Sequence, residues 1–103
     1  MANPQLEHGY TRVCNELLEA IIYRINNATW QKCIFYTIRI TYGFKHKSAE
    51  SNYQAYATKT GFTKGAIKDA LMDLKDRKIL EITVISLERF TVSLNKNYDL
   101  WRI

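Results

Sequence analysis

Lys64 and Lys68 stand four residues apart, directly after the run Thr60-Gly61-Phe62-Thr63. On a helix that spacing stacks two cations one turn apart, in reach of phosphate oxygens or of the O6 and N7 acceptors of guanine. The run before them has the chemistry of a tight turn between helices. Gly61 can take the left-handed conformation that ends one helix, and the Thr63 hydroxyl can cap the next. Two short apolar-periodic segments flank it, so residues 54–78 predict a helix-turn-helix, with the second helix presented to a major groove. Duplex DNA is the first partner to which these residues point.

The expected DNA-facing set is Thr63, Lys64, Gly65, Lys68 and Asp69 on that second helix. Ile67, Ala70, Leu71 and Leu74 define its core face. Asp69 projects away from that face, to meet phosphates or to accept a hydrogen bond from a cytosine amino group. Arg89 falls in or beside a later turn, placed to reach a minor groove, with Glu88 beside it to weaken the local potential. Lys45 and Lys47 flank His46 in a polar loop, fit either for backbone contacts or for a solvated connector. Tyr53 borders the motif and can donate to a phosphate oxygen, or be half-buried core. Lys75, Arg77 and Lys78 close the second helix, where cations offset the helix dipole. Trp30, Phe35, Phe62 and Trp101 read as packing residues, and no aromatic platform for single strands is evident. No glycine-rich phosphate loop, paired histidines at metal spacing, or serine or cysteine beside a base occurs, so neither catalysis nor a metal or other cofactor is expected.

The elements that must position these residues follow from hydrophobic period. Residues 1–10 have none, and Pro4 and Gly9 punctuate a polar arm. Val13, Cys14, Leu17, Leu18, Ile21, Ile22 and Ile25 predict a first amphipathic helix beginning near Thr11. Asn26-Asn27 breaks it, and Thr29 offers the N-cap of a second, carried by Trp30, Cys33, Ile34, Thr37, Ile38 and Thr41 to Gly43. Residues 44–52 read mainly as a connector, with room for a short strand at the far end. Helices over about 54–60 and 64–78 follow. The period then falls to two at Leu80, Ile82 and Val84, and again at Phe90, Val92 and Leu94, on either side of a turn over residues 86–89. That is a two-stranded β-hairpin wing. The fold expected is α+β, mainly helical: one winged helix-turn-helix domain over residues 1–103.

The 103 residues have 47% hydrophobic content and 13% aromatics, enough for one core, and a net charge of +5 that favours a polyanion while being spread along the chain. Cys14 and Cys33 lie among apolar residues and read as buried free thiols in a reducing, cytoplasmic setting. No apolar run approaches the ~20 residues of a membrane span.

Three segments resemble the N-terminal domain of bacteriophage replication protein O, which binds the phage replication origin. They are Asn3-Pro4-Gln5-Leu6-Glu7-His8-Gly9-Tyr10-Thr11-Arg12 running into Asn15-Glu16-Leu17-Leu18-Glu19-Ala20, then Thr41-Tyr42-Gly43-Phe44, and Asn95-Lys96-Asn97-Tyr98-Asp99 followed by Trp101. The resemblance implies a winged helix, origin repeats as the DNA target, dimerisation on paired half-sites, no catalysis and residence in a bacterial host cell. It further implies that the replicative helicase machinery is recruited by a C-terminal region beyond this chain. One departure stands out. The family's recognition helix is polar and basic in its first half, where this chain has Lys64-Gly65-Ala66-Ile67-Lys68-Asp69. A transcriptional regulator of the same fold on an operator, and a winged-helix protein-interaction module, remain as alternatives.

Overall fold

Leu17, Ile21 and Ile25 recur at a spacing of four, and their burial fixes α1, Asn15–Arg24, against the core. The computed structural model describes residues 1–103. The inward stripe of α1 is narrower than its apolar content suggests. Ala20 is buried, whereas Leu18 and Ile22 are 37% and 65% exposed. Cys14 is the exposed N-cap residue of α1 and not a core residue, because the helix starts one residue later and the inward stripe begins at Leu17. Cys33 is buried, as expected.

α2, Ala28–Thr41, is capped by Asn27 and not by Thr29: Asn27 Oδ1 accepts from the Trp30 amide at 3.1 Å. Its buried face, Cys33, Ile34, Thr37, Ile38 and Thr41, is the one the period marked. Two buried hydroxyls on that face are satisfied within the chain. Thr37 Oγ1 donates to the Cys33 carbonyl at 2.8 Å and accepts from the Tyr56 hydroxyl at 2.6 Å, while Thr41 Oγ1 donates to the Thr37 carbonyl at 2.7 Å. Short 3-10 turns occur at Leu6–His8, Tyr42–Phe44 and Tyr98–Leu100.

β1, Ser48–Asn52, runs straight into α3, Tyr53–Thr60, which is followed by α4, Lys64–Asp76, and by the hairpin of β2, Leu80–Val84, and β3, Arg89–Leu94. The sheet has three strands, the expected hairpin and a short strand β1 at the far end of the connector, in the antiparallel order β1-β3-β2. β3 is central, with Phe90, Val92 and Leu94 buried. Its two ends pair with β1 as Ser48↔Ser93 and Asn52↔Arg89, and with β2 as Leu80↔Leu94 and Val84↔Phe90. β1 reads Ser-Ala-Glu-Ser-Asn and has almost no apolar alternation, because an edge strand is held by its backbone ladder and needs little side-chain burial. α4 ends at Asp76 and not at Lys78. Lys78 has left-handed backbone, φ 61°, and its carbonyl accepts from Asn95 Nδ2 at 2.8 Å.

One cluster of buried apolar residues joins all four helices to the sheet, with Tyr56, Ile67, Leu71, Leu74 and Phe90 at its centre. Trp101 folds back onto it and donates its indole N–H to the Asn95 carbonyl at 2.8 Å. No helix is long and apolar enough to cross a membrane.

Candidate nucleic-acid interface

The turn between α3 and α4 has the geometry its residues predict. Gly61 is left-handed, φ 83° and ψ 5°, and its amide donates to the Ala57 carbonyl. Thr63 Oγ1 accepts from the Ala66 amide at 3.2 Å, and the Thr63 carbonyl accepts from the Ile67 amide. The amides of Lys64 and Gly65 have no intrahelical acceptor and face outward at the positive end of the helix dipole. A Cβ on Gly65 would meet nothing within 4 Å, so the first turn of α4 is an open surface.

Ion pairs and ring contacts tie neighbouring elements to that turn. Lys64 Nζ lies 3.0 Å from Glu88 Oε2, joining α4 to the hairpin turn. That bond holds the Glu88 carboxyl below its ordinary pKa. Lys68 Nζ sits 5.2 Å from the centre of the Tyr53 ring, which in turn packs on Phe90 at 5.0 Å. Arg89 pairs with Glu50 across β1 and β3. These contacts gather Lys64, Lys68, Tyr53 and Arg89 on one side of the molecule, built from α4, the start of α3 and the hairpin, with Thr63 and Gly65 beside Lys64 in the first turn of α4; no contact ties Asp69 to them. Asp69 is exposed and makes no ion pair. Carboxylates hold two of the site's three cations; only Lys68 is unpaired.

Lys45 and Lys47 are not part of this group. They precede Ser48, which pairs with Ser93, while Arg89 pairs with Asn52 at the other end of β1. Five strand residues separate the two ends by roughly 13 Å. Lys45 closes the turn after α2 with left-handed backbone, φ 61°.

A count along the chain corrects the reading of charge, and the structure corrects that of one aromatic. Residues 20–68 contain eight Lys or Arg and a single carboxylate, Glu50, while the other residues hold seven against nine, so the positive charge is concentrated and not spread. A window count along the chain finds it. Phe35, read as a packing residue, is 46% exposed on α2. Nucleophilic chemistry has no foothold at Cys33, whose thiol burial pushes up to about 11. No group of three or more His, Cys, Asp or Glu is arranged to hold a metal ion.

The family model described as bacteriophage replication protein O matches residues 2–101. Replication protein 15 of Enterobacteria phage phi80 is 34% identical over 76 residues, which are 73% of this chain and 25% of that protein. The chain thus spans about a quarter of the length of the relative it matches. No solved structure matches the chain.

Proposed function

The chain belongs to the bacteriophage replication protein O family, and from that premise we propose that it binds duplex DNA sequence-specifically as the origin-recognition domain of a phage replication initiator. The observation that carries the reading is the gathering of Lys64, Lys68, Tyr53 and Arg89 on the side of the molecule where the capped start of α4 is open. In this reading residues 1–103 form one domain. α2, α3 and α4 with the β2–β3 hairpin act as a winged helix, β1 being the small strand that closes its sheet.

α4 enters the major groove by its N-terminal turns. The unpaired amides of Lys64 and Gly65 take a phosphate oxygen, with Gly65 allowing close approach of the backbone. Lys68 is the cation best placed to read a guanine edge, since no carboxylate is paired with it. Lys64 must first leave Glu88, and Arg89 must leave Glu50, to reach DNA. Both pairs are exposed and therefore weak, so phosphates can displace the carboxylates. Asp69 supplies a cytosine contact or a penalty against wrong sequences.

One domain presents one reading helix, so tight binding calls for two copies on paired half-sites. The helicase machinery is engaged through sequence beyond this chain, in the cytoplasm of the infected bacterium, and the domain itself catalyses nothing. A footprint on origin DNA and on promoter DNA tests the proposal. Protection of origin repeats, lost in Lys64→Ala/Lys68→Ala, supports it. Protection of a promoter alone assigns the fold to transcription, and protection of neither, with retained binding to another protein, assigns it to protein interaction.

A further inference from the structure

A second cationic surface lies along α2 and the C-terminal part of α3, and its Lys32 end reaches the Thr60–Phe62 turn that precedes α4. Lys32, Phe35, Tyr36 and Arg39 follow one another at helical spacing on α2, Phe44 comes just after it, and Lys59 faces them from α3. Two shallow depressions of about 320 and 460 Å³ share Tyr36 and Lys59 and so form one groove. No acidic residue lines either of them. Phe35 and Phe44 are 46% and 60% exposed. The Arg39 guanidinium lies 5.0 Å from the Phe44 ring centre, while Lys32 donates to the Thr60 carbonyl at 3.2 Å and sits 5.0 Å from the Phe62 ring. None of these cations forms an ion pair, unlike Lys64 and Arg89.

We propose that this groove binds single-stranded DNA, the cations tracking the phosphates and the exposed phenyl rings stacking on bases. Charge selects a polyanion, and the rings select among polyanions. In a duplex the base faces are covered by their neighbours, so phosphate contacts need only cations and polar groups, and two exposed phenylalanines gain nothing. An unpaired strand offers bare base faces, and interleaved cations and aromatics are the surface that holds them. The inference goes beyond duplex recognition and rests on different side chains, so either can fail alone.

The test is anisotropy titration of the full chain with oligo-dT of about 16 nucleotides, a wholly abasic strand of the same length, and a duplex. Oligo-dT is expected to bind more tightly than the abasic strand. Phe35→Ala and Phe44→Ala should each weaken oligo-dT binding about fivefold or more, with duplex binding unchanged. Phe44→Tyr, which keeps a stacking ring, should retain it. Lys68→Ala should weaken duplex binding and spare oligo-dT. Both phenylalanines are solvent-exposed, and circular dichroism of each variant checks that the fold is kept. Equal affinity for the oligo-dT and abasic strands overturns the proposal, as does parallel loss on duplex in the Phe→Ala variants. So does competition by polyglutamate as strong as by oligo-dT, and so does a change in self-association by sedimentation while oligo-dT binding stays intact.

Discussion

Lys64 and Lys68 are one turn apart and differ in what holds them, which separates their expected effects. Lys68 lies on a tyrosine ring with no carboxylate partner, so Lys68→Ala should cost about 1–3 kcal/mol of duplex affinity where a base edge is read. Lys64→Ala should cost less, because the free protein already satisfies that ammonium with Glu88. Glu88→Gln is expected to tighten duplex binding by releasing Lys64 and removing a charge that repels phosphate. The folded-state pKa of Glu88 is depressed, so the pair is formed at neutral pH and is lost only on acidification through that lowered value. Duplex affinity should not vary across neutral pH through this group. Asp69→Ala distinguishes two roles by titration against single-base variants of the site: general tightening means repulsion from phosphate, and loss of one base preference means a cytosine contact. The cysteines separate as clearly. A thiol reagent should modify Cys14 at once and Cys33 only on unfolding. For Cys33 the unfolded chain loses its proton near 9.0 and the folded chain near about 11, so stability should fall as pH rises through that window.

Two glycines at the junction of α3 and α4 should respond to alanine with opposite signs. Gly61 is left-handed, and although a Cβ there meets nothing within 4 Å, Gly61→Ala should destabilise by about 1–2 kcal/mol through backbone strain alone. Gly65 lies in an ordinary helix with equal space, so Gly65→Ala should raise stability by about 0.5–1 kcal/mol while weakening DNA binding, the added methyl holding α4 away from a phosphate. Thermal melting together with a duplex titration checks both. The same turn was the most legible part of the sequence, since Gly61, Thr63 and the stripe Ile67, Ala70, Leu71 and Leu74 carry their structure in local chemistry. β1 was far less legible. Its residues, four of the five polar, become a strand because Phe90, Val92 and Leu94 place β3 beside them, a long-range event that no local period records. α1 was readable as a helix but not in its facing: Leu18 and Ile22 are as apolar as Leu17 and Ile21, and which pair turns inward depends on where the rest of the core lies.

Across the whole molecule, charge is arranged in a way that neither its total nor its fold class conveys. The net +5 conceals a middle stretch with one carboxylate beside eight cations, a slightly acidic N-terminal part and a C-terminal part of zero net charge. Single residues were easily nominated from sequence; the pairings Lys64–Glu88 and Arg89–Glu50, which decide how much of that charge is free, need the tertiary structure. So does the separation of Lys45 and Lys47 from α4. The resemblance to replication protein O rested on terminal segments such as Asn3 to Arg12 and Asn95 to Trp101, and the family match over residues 2–101 bears it out. The measurement that bears most directly on origin recognition is a salt series of duplex titrations, comparing origin-repeat DNA with a scrambled duplex of the same composition. The expected result is at least about tenfold tighter binding to the repeats, with log affinity falling linearly in log salt and the slope shrinking by about 0.9 in Lys68→Ala if that side chain neutralises a phosphate. Equal affinity for the two duplexes, or affinity that does not change with salt, would contradict it.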